Sequence, residues 1–154
     1  MSLDKKLSFG IFFVIKDYEN KYLFVKHNYG MKKWSLPGGG WERGELTSDA
    51  GIRETLEESG FVTRPKKFIG IFSLKKSDGV VILYEADTVS GEIRIDGAEI
   101  SEAKFLSLDE IHELNQKREL YDAQYSAVLW SRLPLREDGL PHEGWLTVPP
   151  TTKP

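Results

Sequence analysis

Residues 39–61 read GGWERGELTSDAGIRETLEESGF, and this stretch decides the fold. Gly39 and Gly40 open it as a glycine loop, and Gly60 closes it. Ser48 to Ser59 reads as a short helix, with Thr47 or Ser48 as its N-cap and Gly60 as a left-handed stop. On that helix Glu54, Glu57 and Glu58 stand at i, i+3 and i+4, which brings three carboxylates onto one face. No lysine is interspersed to offset their repulsion. A hard divalent cation with oxygen ligands is the economical counter-charge. Arg53, four residues before Glu57, is spaced to brace one carboxylate, and Glu45 to reach back toward Arg53. Taken alone, an acidic helix face is most often solvated surface.

The face does not stand alone. Gly39, Glu45, Arg53, Glu54, Glu57, Glu58 and Gly60, followed by the apolar Phe61, match the spacing G-x5-E-x7-R-E-U-x-E-E-x-G-U, where U is apolar. This resembles the Nudix box of the MutT-like pyrophosphohydrolases. A chance match to all the fixed residues has a probability on the order of one in a hundred million per window, which outweighs the solvated-face reading. Thr55 departs from the usual aliphatic residue, though its methyl group can still pack. Trp34-Ser35-Leu36-Pro37-Gly38-Gly39 is similar to the family's W-x-L-P-G-G lead into the box.

The resemblance implies an α+β fold, an α/β/α sandwich in which a mixed β-sheet is flanked by helices and carries a catalytic loop-helix-loop. It implies hydrolysis, by water attack at phosphorus, of a nucleoside diphosphate linked to another group: a nucleotide sugar, ADP-ribose, a nucleoside triphosphate or similar. The implied cofactor is Mg²⁺, with Mn²⁺ as a substitute. By the same resemblance Glu57 and Glu58 are the core metal ligands, Glu54 is a further ligand or the general base, and Gly38 adds its carbonyl. Arg53 and Glu45 hold the loop-helix-loop in shape. Glu99 and Glu102 are candidates for an extra ligand or base, weighed equally against plain surface carboxylates. The alternative is a non-catalytic Nudix-fold nucleotide-binding or sensor domain. Degenerate boxes mark that group, and this box keeps every carboxylate.

Composition narrows the rest. The chain has 154 residues, 40% hydrophobic and 29% charged, with a net charge of −3, the profile of a single globular domain. An acidic balance argues against a nucleic-acid partner and leaves a small-molecule nucleoside diphosphate derivative. There is no cysteine, which excludes disulfides and thiolate metal sites and permits a cytoplasmic location. No apolar run reaches membrane-spanning length, and MSLDKKLSFG at residues 1–10 lacks the apolar core of a signal peptide. The resemblance allows a homodimer and leaves the oligomeric state open.

Along the chain, Leu7–Ile15 and Tyr22–Val25 read as strands paired in a hairpin, and Trp34 and Leu36 as a short strand. Further strands are expected at Phe68–Leu74, Val80–Ala86 (apolar enough to be central), Glu92–Ile95 and Ala103–Leu106. Ser107 to Glu110 is a capping box opening a helix over Leu108–Leu114, and a second helix spans Arg118–Leu133. Ala50 and Gly51 should face the sheet. Residues 1–133 form the domain, and 134–154, with five of the seven prolines, read as a tail without helix or strand, tacked down through Trp145 and Leu146. His27 reads as a surface residue rather than a ligand contact, and Trp34 as packing rather than a substrate platform. The box does not choose the substrate. The proline or tyrosine that marks ADP-ribose and dinucleoside-polyphosphate enzymes about sixteen residues past it is replaced here around Lys76 and Ser77, which argues against both.

Overall fold

The computed structural model describes residues 7–147 and 150; readings on residues 1–6, 148–149 and 151–154 lie outside the described residues. Strands β1 (Ser8–Val14), β4 (Gly38–Gly40), β5 (Phe61–Leu74), β6 (Gly79–Gly91) and β8 (His142–Trp145) form a mixed sheet in the order β4-β1-β6-β5-β8. Strands β2 (Tyr22–His27), β3 (Trp34–Ser35) and β7 (Ile100–Leu106) form a second, antiparallel sheet in the order β3-β2-β7. The helices are α1 (Thr47–Ser59), α2 (Leu108–Gln116) and α3 (Gln124–Ser131).

Two apolar clusters explain this layering. Ile11, Phe13 and Ile15 of the first strand region, with Leu23 and Ala86, pack under Ala50 of α1. Val14, Tyr22, Phe24, Leu83 and Leu106 belong to the other cluster, closed by Ile111 of α2 and Ala127 and Val128 of α3. Successive residues of β1 thus enter opposite clusters, as period-two alternation requires. Strand β6 is central, parallel to β1 with Ile11 opposite Ile82, and antiparallel to β5. Gly51 lets α1 approach β1 closely, because a Cβ there would overlap the Phe13 ring.

Several local expectations are corrected. β1 and β2 are joined by a tight turn with one bridge, Lys16 to Tyr22, and then enter different sheets, so they are not a paired hairpin. No strand forms at Glu92–Ile95; β6 runs on to Gly91 instead. The Arg118–Leu133 helix is confined to α3, because Arg118 (φ 59°) and Ala123 (φ 73°) break the helical path. The segment between them runs extended beside β3, with Trp34 N donating to Glu119 O and Tyr121 N to Trp34 O. Beyond Pro134 the chain does contain a strand: β8 pairs in parallel with β5, Gly70 opposite His142, and Leu146 beyond it is buried. Ser107 caps α2 as expected, accepting from Glu110 N at 3.1 Å. Among the described residues no helix is long and apolar enough to cross a membrane.

Candidate active site

The helix α1 is entered without a side-chain cap. Leu46 stands at the N-cap position, while Thr47, expected there, shares a hydrogen bond with Tyr84 Oη at 2.8 Å. At the other end Gly60 adopts φ 88°, ψ −2°, and donates its N–H to Leu56 O. Only a residue free to enter the left-handed region ends the helix this way at no steric cost.

Arg53 is the hub of the site. Its Nε and Nη2 grip both oxygens of Glu45 at 3.2 and 3.0 Å, a bidentate arrangement. Nη2 also donates to Gly40 O at 3.1 Å. Nη1 donates to Glu54 Oε1 at 2.9 Å and lies 3.6 Å from Glu57 and 3.8 Å from Glu42. Glu45 in turn accepts from Glu42 N at 2.9 Å, closing the turn between strand β4 and the helix. The guanidinium hydrogen bond holds Glu45 below the usual carboxylate range and, reciprocally, raises Arg53 further above neutrality.

The carboxylates differ in surroundings. Glu58 is 9% exposed and accepts from Gly38 N at 2.8 Å. Burial pushes it up to about 8; the Gly38 N–H opposes that rise, and the charges of Glu54, Glu57 and Glu99 add to it. Glu54 is also raised by burial, against the pull of Arg53. Glu57 is exposed at the rim. Among the described residues no three acidic or imidazole side chains converge at metal-ligand distance; Glu54 and Glu57 lean on Arg53, while Glu58 is turned to Gly38. Gly39 explains why Glu54 can lie where it does. A Cβ at position 39 would sit 2.6 Å from the Glu54 carboxyl carbon.

The donor set suits a divalent cation by its chemistry. It is all oxygen, the ligand type that hard divalent cations take, on a helix face whose three carboxylates do not converge on one point among the described residues. The two further candidates part company. Glu102 lies opposite Lys26 on β7 and sits 3.8 Å from its ammonium, whereas the charge of Glu99 acts on Glu58.

Sequence reasoning missed an aromatic cluster beside these carboxylates. The His27 ring lies 5.2 Å from that of Tyr29 and 4.9 Å from that of Tyr121, and its Nε2 is 2.9 Å from Ser35 Oγ. Burial holds His27 below its ordinary value. Tyr29 is 55% exposed; partial burial raises its hydroxyl above the ordinary value, and the charges of Glu58, Glu99 and Glu54 add to the rise. Tyr121 also lines an open cleft of about 770 Å³ with Lys33, Lys76, Arg118 and Tyr125. The signal was present in sequence as His27-Asn28-Tyr29, but Tyr121 joins it only through the fold. Trp34, by contrast, is buried, with Lys104 Nζ over its ring at 5.0 Å.

The model of the NUDIX domain matches residues 4–129, and the chain belongs to the Nudix family. An ADP-ribose pyrophosphatase of Methanocaldococcus jannaschii is 31% identical over 102 residues, 62% of this chain and 60% of that protein. The match therefore spans less than two thirds of that relative's length. A Bacillus subtilis protein provisionally named an 8-oxo-dGTP diphosphatase is 28% identical over 121 residues, covering 77% of this chain and 80% of its own. Among solved structures, a NUDIX hydrolase from Nitrosomonas europaea superposes with a TM-score of 0.72 at 24% identity, over 82% of this chain and 88% of the other. That likeness speaks to the fold.

Proposed function

We propose that this chain is a divalent-metal-dependent pyrophosphohydrolase that cleaves a nucleoside diphosphate linked to a further group. The observation that carries the reading is the Arg53 hub: one guanidinium ties the turn after the glycine strand to Glu54 and Glu57, and Gly38 from that same strand donates to the nearly buried Glu58. Glu57, Glu58 and the Gly38 carbonyl would hold the metal, with Glu54 or Glu99 as a further ligand or as the base that accepts a proton from water. Mg²⁺, or Mn²⁺ in its place, would neutralise phosphate oxygens and make a bound water more acidic. Arg53 and Glu45 would keep the loop and helix in register.

Two further observations support a nucleoside substrate. The exposed Tyr29 beside His27 and Tyr121 offers a planar surface for a base. The two relatives reported above are named for nucleotide compounds, ADP-ribose in one case and 8-oxo-dGTP, provisionally, in the other. The name of the archaeal relative restores ADP-ribose as a candidate that the residues around Lys76 had argued against.

The test is a panel of ADP-ribose, nucleotide sugars, nucleoside triphosphates and dinucleoside polyphosphates, with Mg²⁺ and then with EDTA, and Glu57→Gln in parallel. Turnover of one class, abolished by EDTA and by the substitution, is expected. Tight nucleotide binding without turnover anywhere would replace this reading with that of a sensor domain.

A further inference from the structure

We infer that Gln124 is a positioning residue for the carboxylate site: through its hydrogen bond to Leu36 N it sets the segment that presents Gly38 N to Glu58. The inference rests on the function proposed above for the role of Glu58, and on hydrogen bonds and burial for the positioning itself.

The lead into the box, Trp34 to Gly38, is buried at every residue. Its backbone is held along two edges in alternation, because successive groups of an extended chain point to opposite sides. One edge faces the strands. Lys33 O accepts from His27 N at 3.0 Å, Ser35 pairs with Val25 of β2, and Pro37 O accepts from Phe13 N at 3.0 Å. The other edge carries Trp34, Leu36 and Gly38, and their three N–H groups go to three kinds of acceptor. Trp34 N donates to a backbone carbonyl, Glu119 O, at 2.9 Å. Leu36 N donates to the amide oxygen Gln124 Oε1 at 2.8 Å, and Gly38 N to the carboxylate Glu58 Oε1 at 2.8 Å.

The middle acceptor is a side chain because of the path of the chain. The segment 119–121 lies beside Trp34 in parallel, then turns through Ala123 (φ 73°) into α3 and leaves the lead before Leu36. Gln124, the first residue of α3, spans that gap. Ala127 and Val128 anchor α3 in the core, so the amide is offered from a fixed base. Gln124 is 6% exposed and Leu36 is fully buried. A Leu36 N–H deprived of this acceptor would be a buried unpaired donor, and the lead would have to shift to satisfy it. That shift would arise two residues before Gly38, the donor to Glu58. One amide on the last helix thereby governs a carboxylate on the first.

The experiment compares four variants. Gln124→Met keeps the volume and loses the acceptor. Gln124→Asn keeps an amide that stops one methylene short. Gln124→Glu keeps an acceptor at full reach, and Val128→Ala loosens the same helix while leaving the Gln124 amide in place. Amide exchange at Leu36 and Gly38 reads the lead, Mn²⁺ titration followed by electron paramagnetic resonance reads the site, and a melting curve monitors the fold. Gln124→Met and Gln124→Asn should speed exchange at both amides. They should weaken Mn²⁺ by roughly tenfold, the low end for losing an outer support of a ligand. Gln124→Glu should restore both readouts nearly to wild type. Val128→Ala should lower the melting temperature and leave Mn²⁺ affinity unchanged. Unchanged Gly38 exchange in Gln124→Met and Gln124→Asn, faster exchange with unchanged Mn²⁺ affinity, or an equal loss of Mn²⁺ affinity in Val128→Ala overturns the inference alone. A wild-type chain that binds no Mn²⁺ overturns the proposed function instead, and exchange at Gly38 then decides whether Gln124 holds the lead.

Discussion

Replacing Gly39 with alanine tests the site with one carbon atom. The new Cβ would lie 2.6 Å from the Glu54 carboxyl carbon and 2.8 Å from each of its oxygens. Ordinary contact begins near 3.4 Å, so the carboxylate must retreat by roughly 1 Å. The three nearest atoms are all at the end of a flexible side chain, and the backbone at Gly39 is outside the left-handed region. Stability should therefore hold within about 1 kcal/mol, the range for a site that yields without a cavity or strain. Catalysis should not hold, because a displacement of about 1 Å in a reacting group costs on the order of a hundredfold. The assay is steady-state hydrolysis of the substrate found in the panel, with melting curves alongside and Glu54→Gln as partner. The double variant should be no slower than Glu54→Gln alone, since Gly39 acts only through that carboxylate. Full activity in Gly39→Ala, or additive losses in the double variant, would refute the reasoning.

Other substitutions separate fold from site. Arg53→Lys loses the fork that grips both oxygens of Glu45; turnover should fall by at least about tenfold, the scale of one charge-assisted hydrogen bond, and lysine should rescue little beyond Arg53→Ala in the same assay. Thr55 is wholly buried and its hydroxyl finds no partner among the described residues. Thr55→Val should raise stability by about 1 kcal/mol, seen as a higher denaturation midpoint, with kinetics unchanged. Gly51→Ala should do the reverse, costing roughly 1–3 kcal/mol as the new methyl overpacks Phe13.

What could be read in advance was local. The box helix declared itself through the spacing of Glu54, Glu57 and Glu58 and through Gly60, because helix periodicity and a left-handed stop are written in neighbouring residues. The bracing of Arg53 by Glu45, eight residues away, was within reach of the same reasoning. Partner choice was not. Tyr22 follows β1 closely, yet β2 pairs with β7, some eighty residues on, because Phe24 and Leu106 bury together. Strand β8, HEGW, lacks the β-branched pattern of a strand and exists through pairing with β5 at a sheet edge. Thr47 looked like a cap but found Tyr84 instead, a residue brought beside it only by the sheet. The hydrogen bond from Asn28 to Gly97 O joins residues 69 apart, which no window on the sequence spans.

The most direct test of the central claim is hydrolysis in oxygen-18 water with Mg²⁺, wild type beside Glu58→Gln, with product masses read by mass spectrometry. The account predicts that the wild type places a single oxygen-18 in one of the two phosphate products, and that Glu58→Gln loses several powers of ten in rate while melting as the wild type does. Product phosphates free of the label, or a Glu58→Gln protein that turns over normally, would contradict it.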